Sequence, residues 1–372
     1  MKFSVSSSEL LRHLQIAGSA IGSNPVLPIL DDFLFKIENK VLYITGSDLE
    51  TNITTSLEVM ADTDFAVAIP GKILLETIKA LPQQPLTFTV NPDNFAVEIT
   101  SSYGKYRLAG ENGDDYPDMP TPDHVDTVGI NSRYLLEGVA KTIFAASNDE
   151  LRPAMTGVYF QIDFNKLTCV ATDAHKLVKY ATPHLAGEVS TSFIAPKKAL
   201  NILNSNLPAD TAVQIAFNKS NAFFSFDSIS LVCRLIDARY PDYNAVIPVE
   251  TPIHVVLNRA DFLHSLKRIA IYANKTTNQV ALDIQSKSLT ISSQDLDFSN
   301  AATEQMSCEL EGAPIRIAYN AKFMIEMLSV LDSEEIRLQI SSASRASLLV
   351  PIEPENTDRE ILMLVMPVML NN

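Results

Sequence analysis

The sequence predicts an α+β protein built from three copies of one unit, and three observations carry that prediction. Landmarks recur in the same order at a spacing of about 124 residues, each unit holds two amphipathic helical stretches, and short alternating strands lie between them without a βαβ rhythm. At 372 residues the chain is longer than one hydrophobic core serves, so roughly two or three domains follow from length alone.

The landmarks are specific. Leu27-Pro28-Ile29-Leu30 precedes Thr45-Gly46-Ser47-Asp48-Leu49, and Arg152-Pro153-Ala154-Met155 precedes Thr172-Asp173-Ala174-His175; Pro28 to Asp48 and Pro153 to Asp173 are both twenty steps. Pro70 to Pro82 and Pro196 to Pro208 are each twelve, and Tyr116-Pro117-Asp118 returns as Tyr240-Pro241-Asp242. Between these two copies the offsets are 125, 125, 126, 126 and 124. A more divergent third copy follows, with Ser292-Ser293-Gln294-Asp295-Leu296 echoing the turn and Ala318-Tyr319-Asn320-Ala321-Lys322 echoing the second helix start. Domains are therefore expected at 1–122, 123–248 and 249–372, with polar, proline-rich linkers at Met119 to Val125 and Pro248 to Ile253.

Each unit opens on a helix. Ser7 or Ser8 is expected to cap the first, with Leu10, Leu14, Ala17 and Ile21 on one face; Asn131 or Ser132 caps the second, with Leu136, Val139, Ile143 and Ala146; the third begins at Asn258 and aligns Phe262, Leu266, Ile269 and Ala273. A second helix lies mid-unit. Pro70 and Pro196 suit its first helical position, and Met324, Met327, Leu328 and Leu331 give the third copy its apolar face. Leu86 to Val90, Ala212 to Phe217 and Ile336 to Ile340 alternate apolar and polar residues, as half-buried antiparallel strands do, and turns such as Glu38-Asn39-Lys40 and Asn91-Pro92-Asp93-Asn94 join such strands. Helices gathered on one face of antiparallel sheets follow.

An apolar fraction of 46% suits a folded chain, and no stretch approaches the roughly 18 apolar residues of a membrane span. Met1 to Ser6 turns polar at once and lacks the core of a signal peptide, so a cytoplasmic location and no membrane partner are expected. Cys169, Cys233 and Cys308 lie far apart, which signals neither zinc nor disulfides. The formal charge of −15 argues globally against a polyanionic partner, but binding depends on where the cations stand. Six helical stretches, 6–21, 70–82, 131–147, 196–208, 258–274 and 320–331, carry eleven basic side chains against five acidic ones, so they total +6 and the remainder totals −21. Helix propensity favours Glu as much as Lys and Arg, so an excess of one sign needs another cause. A positive helical face on a negative body fits sequence-independent contact with phosphates.

Thr172, Asp173 and His175 put a hydroxyl, a carboxylate and an imidazole within four residues, enough for a metal pair or a nucleophile with its base. Repetition weakens that reading. His175 is matched by Glu50 in the first copy and Asp297 in the third, so one copy alone could carry imidazole chemistry. No phosphate-binding loop, dinucleotide fingerprint, His-Glu-x-x-His or Gly-x-Ser-x-Gly is present. No catalytic residue, metal or cofactor is expected, and a hydrolase of nucleotides or phosphoesters using Asp173 and His175 stands as the alternative.

Met1-Lys2-Phe3, Leu27-Pro28-Ile29-Leu30, Thr45 to Glu50, Ala171 to Leu177, Tyr240-Pro241-Asp242-Tyr243 and Val365-Met366-Pro367-Val368 together resemble the bacterial β sliding clamp family, the processivity subunits of DNA polymerase III. The likeness covers essentially the whole chain. It implies a head-to-tail homodimeric ring lined by twelve helices and encircling duplex DNA, a clamp loader, and replicative and translesion polymerases and repair factors held through short linear peptides. By resemblance the peptide pocket uses Met155, Thr172, Ala174, His175, Lys176, Leu177, Pro241, Val246, Asn320, Phe323, Leu364, Met366, Pro367 and Val368. DNA contacts fall on Asn24, Asn148, Arg152, Lys197 and Lys198, and the dimer joint on Tyr106 and Leu108 against Ile271 and Tyr272. Several positions depart from the family's pattern. Ala174 stands where Gly is common, Lys176 where Arg is common, Asn24 where a basic residue is frequent, and Met369 at a usually basic position before two extra Asn. The resemblance therefore implies the apolar floor with an altered peptide preference.

Overall fold

A computed structural model describes residues 1–23, 25–354 and 358–370. Six α-helices are present among them: α1 (Ser7–Gly18), α2 (Gly71–Ala80), α3 (Ser132–Thr142), α4 (Lys197–Asn206), α5 (Arg259–Ile269) and α6 (Ala321–Ser329). All eleven basic and all five acidic residues counted above lie within these bounds. The strands are antiparallel throughout the recorded pairings, for example Lys2–Ser6 on Pro85–Val90 and Gly157–Asp163 on Lys166–Thr172. The expected strands fall at Pro85–Val90, Ala212–Phe217 and Glu335–Ile340. Asn39 and Lys40 carry φ of 51° and 66°, the left-handed pair that a tight hairpin turn demands.

Three local expectations need correction. Ser6 precedes α1 and its side chain caps nothing; the Ser7 hydroxyl instead donates to the Pro82 carbonyl and accepts from Gln84 N–H, both at 3.0 Å. Pro70 and Pro196 close strands, and Gly71 and Lys197 begin the helices. Pro70 sits at ψ 112°, an extended conformation that the fixed φ of proline allows equally well. On α3 Leu135 is fully buried together with the expected Val139, whereas Leu136 is half-buried. Asn131, Asn258 and Asn320 do cap, accepting from Arg133, Asp261 and Lys322 N–H at 2.9, 3.0 and 2.9 Å.

The chain divides into two compact units, Met1–Arg133 with Lys198–Leu235, and Tyr134–Lys197 with Ile236–Asn372. Strand pairing explains the first. One sheet runs in order through Phe65–Pro70, Asp32–Glu38, Val41–Ser47, Thr51–Glu58, Ile229–Arg234, Asn221–Phe226 and Ala212–Phe217. Thr51–Glu58 thus takes as its neighbour a strand from the next repeat. In the second unit Lys176–Thr182 pairs in the same way with Glu360–Val365. Phe3, Leu10, Leu14, Phe35, Ile44, Phe88 and Ile99 fill a core of the first unit, where α1 and α2 cover their sheets.

Candidate peptide and DNA sites

The second turn is held by its aspartate. Asp173 Oδ1 accepts His175 and Lys176 N–H, both at 2.9 Å, while Asp173 Oδ2 takes the Lys176 ammonium at 3.0 Å. Thr172 donates its hydroxyl to the Lys176 carbonyl at 2.7 Å and accepts Ala174 N–H at 3.1 Å. Ala174 has φ 75°, a left-handed residue that favours glycine. The first turn repeats this scheme within its own unit. Asp48 Oδ1 accepts Glu50 and Thr51 N–H at 3.0 and 2.6 Å, and Leu49 also has φ 75°. An aspartate engaged by three donors is a structural staple, and its recorded bond to His175 is to the backbone N–H.

Around the second turn lies an apolar cluster of Val170, Leu177, Ile194, Tyr240, Tyr243, Leu348 and Leu364, with Ala154, Tyr159, Ile247, Ala346 and Leu362 packed against it. Leu177 and Leu364 are brought opposite each other by the pairing of their strands. The C-terminal segment continues this wall: Met366 N–H donates to the His175 carbonyl at 2.9 Å and Val368 N–H to the Ala318 carbonyl at 2.8 Å. On the other side α6 presents Phe323, whose ring lies 6.3 Å from that of His175 and 4.3 Å from the Lys176 ammonium. Lys176 is 6% exposed and also pairs with Glu326 at 3.0 Å, so the turn and α6 are fastened together through one buried cation.

Met155, Pro367 and Asn320 are half-buried, whereas Ala174, His175, Pro241, Val246 and Met366 are exposed. Asn320 is occupied as the α6 cap. Sequence reasoning missed Tyr240, Ile247, Ala346 and Glu326. Tyr240 had a signal, its place in the repeated Tyr-Pro-Asp, and its hydroxyl donates to the Val170 carbonyl at 3.3 Å; Ala346 and Glu326 had none.

The candidate DNA residues are engaged by neighbours of their own units. Arg152 donates to Asp149 Oδ2 at 2.9 Å and to the Asp173 carbonyl at 3.5 Å, and that guanidinium holds the Asp149 carboxyl below its usual pKa. Lys197 donates to Asn148 Oδ1 at 2.6 Å and to the Ala146 carbonyl at 3.3 Å; burial, and then the Lys176 ammonium, lower its pKa. Lys198 pairs with Asp48 and donates to the Ala20 carbonyl at 2.8 Å. Asn24 lies outside the described residues. Of the candidate joint residues, Leu108 is buried and Tyr106 packs against the first unit's core, while Ile271 and Tyr272 are exposed. All three cysteines are free and buried, and burial raises the Cys233 thiol to about 12. No metal-holding cluster occurs among the described residues, and none of their helices is long and apolar enough to cross a membrane.

Fold and site define a repeat protein whose successive repeats are joined by strand pairing beside an aspartate turn. Family models for the DNA polymerase III beta subunit match along the chain, the N-terminal domain at residues 1–120, the central domain at 129–242 and the C-terminal domain at 244–368. The beta sliding clamp of Synechococcus elongatus is 27% identical over 383 residues, covering 100% of both chains. That of Staphylococcus epidermidis is 27% identical over 372 residues, covering 97% of this chain and 98% of its own. The DNA polymerase sliding clamp of Bacillus subtilis superposes with a TM-score of 0.94 at 25% identity, and the clamp of Bartonella birtlesii bound to griselimycin with 0.92 at 25%, each covering 100% of both chains. The chain belongs to the DNA polymerase III beta subunit family, the sliding clamps, processivity factors without catalytic activity of their own. The hydrolase reading of Asp173 and His175 is not supported.

Proposed function

We propose that two copies close head to tail into a ring around duplex DNA and tether DNA polymerases to their template. The observation that carries this reading is the repeated joint. Thr51–Glu58 and Lys176–Thr182 each follow an aspartate turn and each pair with a strand of the next repeat. Asn300–Ser307 follows the third such turn and ends its sheet, and Lys105–Leu108 ends another. Two open edges of this kind suit pairing with a second copy, with Tyr106 and Leu108 facing the partner's Ile271 and Tyr272; two heterologous joints related by a twofold axis close without forming a filament.

Such a ring holds DNA by topology, and the net positive helices need only weak phosphate contacts that permit sliding. Asn148, Arg152, Lys197 and Lys198 are the residues proposed to supply them, Asn24 remaining a candidate by resemblance alone. The cleft around Leu177 and Leu364 then takes short linear peptides of replicative and translesion polymerases, the clamp loader and repair factors, raising their local concentration. Its lining is Met155, Thr172, Ala174, His175, Lys176, Leu177, Pro241, Val246, Asn320, Phe323, Leu364, Met366, Pro367 and Val368. The repeats are proposed to divide at 1–122, 123–248 and 249–372, and the protein to act in the cytoplasm.

Retention on plasmid DNA tests the reading. After loading by a clamp loader, the protein stays on a closed circle through gel filtration and is lost when the circle is cut once. Equal retention on linear and circular DNA would sink the ring.

A further inference from the structure

The third turn differs from its siblings, and the difference is apolar. Asp48 to Glu50 and Asp173 to His175 join their strands with three residues, whereas Leu296-Asp297-Phe298-Ser299 joins Asp295 to Asn300 with four. Leu296 and Phe298 are 76% and 74% exposed. The turn is nonetheless braced. Asp295 Oδ1 accepts Asp297 N–H at 3.1 Å, and Asn274 donates its amide to Asp295 Oδ1 at 3.3 Å and Asp297 Oδ2 at 3.2 Å. Asn274 also accepts Thr276 N–H at 3.0 Å, so the turn is fixed to the segment just after Ile271 and Tyr272. A large exposed apolar pair on a rigid mount is a mark of an interaction surface.

The sibling turns indicate what covers it. In each, the residue just before the second strand offers its carbonyl to the chain leaving the neighbouring strand: Arg234 N–H donates to Glu50 O at 2.8 Å, and Met366 N–H to His175 O at 2.9 Å. Ser299 holds that position in the third copy. Ala109 follows Leu108 as Arg234 follows Cys233 and Met366 follows Val365, and Ala109 is exposed.

We infer that the turn Asp295–Ser299 clasps the strand end of a second copy, its Ser299 carbonyl accepting from the partner's Ala109 N–H while Leu296 and Phe298 close over that strand end. This rests on the two-copy ring proposed above and adds a clasp to the Tyr106, Leu108, Ile271 and Tyr272 contact. It also gives the longer turn a purpose, since a joint between chains lacks the covalent link that helps the other two.

Two variants of the full chain test it, with the parent as reference. Replacing Leu296→Ser together with Phe298→Ser removes apolar area covered only in the dimer. The dimer Kd measured by sedimentation over a dilution series is expected to rise at least about thirtyfold, with the thermal unfolding of the monomer unchanged. Ser299→Cys together with Ala109→Cys is expected to give a cross-linked dimer on a denaturing gel after mild oxidation, the native cysteines being buried. A parent chain that is monomeric in micromolar solution overturns both ring and clasp. A parent dimer whose Kd the serine pair leaves within about twofold, or whose cysteine pair fails to cross-link, keeps the ring and overturns the clasp.

Discussion

The joint at Asp48 and the joint at Asp173 share a backbone and differ in their floors. Both turns are stapled by an aspartate oxygen, both put a φ of 75° at the next residue, and both receive an N–H from the neighbouring strand's exit. Beneath the second lie Val170 and Leu177. At the same offset of 125 the first has Thr45, bonded to Thr54 at 2.8 Å, and Asn52, which accepts the Ser47 hydroxyl. A third substitution is larger. Asp32 stands where the second copy has Gly157, at which even a Cβ would meet the Ala195 carbonyl at 2.4 Å. Side chains that bond each other leave nothing for a peptide to displace, whereas apolar ones with no polar demands form a surface that gains by being covered. The architecture is thus in the staple, and the proposed peptide site is in the floor.

Exchanging floor residues is the strongest way to break that contrast. Leu177→Asn puts an amide among Val170, Tyr240 and Leu364 with no partner arranged for it. We expect a loss of about 3–4 kcal/mol in unfolding free energy, and binding of a polymerase-tail peptide weakened more than about a hundredfold in a fluorescence anisotropy titration. The reciprocal Asn52→Leu takes away the acceptor of the buried Ser47 hydroxyl, which keeps the Leu49 N–H at 3.0 Å, and costs about 1–3 kcal/mol, yet creates no peptide site because Thr45 and Asp32 remain. Peptide binding gained by Asn52→Leu would show that one floor residue suffices.

The second aspartate oxygen sharpens the comparison at smaller cost. In the second joint it holds buried Lys176, which also reaches Glu326; in the first joint it holds Lys198, whose side chain is 42% exposed. Lys176→Met leaves the Asp173 carboxylate, 17% exposed, without its cation and is expected to cost about 1–3 kcal/mol and to weaken peptide binding by loosening α6 from the turn. Lys198→Met breaks a surface pair and is expected to cost under about 1 kcal/mol, with peptide affinity unchanged and retention on DNA reduced. Denaturant titration of the two variants checks the order; equal losses would mean that the buried lysine fastens nothing.

Repetition made the fold legible in the sequence. Ordered landmarks fixed the turns, and the 3.6-residue period found all six helices because their buried faces need one side only. Caps and end residues were less legible: Pro70 fits a strand end as well as a helix start, and Leu135 and Leu136 differ only by the rotation of α3. The proposed pocket rests on a family pattern, and local chemistry points to only part of the apolar cluster there. Val170 and Tyr240 lie in or beside repeated motifs, but Ala346 packs on the apolar cluster and Glu326 joins the turn only through the Lys176 cation on another element, and no local pattern encodes either. The pairing of Lys176–Thr182 with Glu360–Val365 spans almost half the chain, a contact that pattern alone leaves open.

The finest difference between the joints is electrostatic, and its sign can be tested. Burial first, then Glu111 and Asp31, raise the Asp32 carboxyl from 3.8 to about 6. A raised pKa means that the folded chain holds this proton more tightly than the unfolded one; the stabilising effect is complete below 3.8 and is lost as pH rises through about 6. At neutral pH the ionised, 7% exposed Asp32 therefore weighs against the first unit, by about 3 kcal/mol. Asp32→Asn should remove that penalty, so the variant melts above the parent at pH 8, and the gap narrows as pH falls through about 6 and closes below 3.8. His13, in the same unit, works in the opposite direction: burial, and then Arg12, lower its pKa, so its contribution is present above 6.5 and lost as pH falls through the lowered value. Since His13 is unchanged between variant and parent, the difference in melting temperature isolates Asp32. A gap that widens on acidification would mean that the ionised carboxylate is partnered after all, and that the first floor is held by a charge rather than by neutral hydrogen bonds.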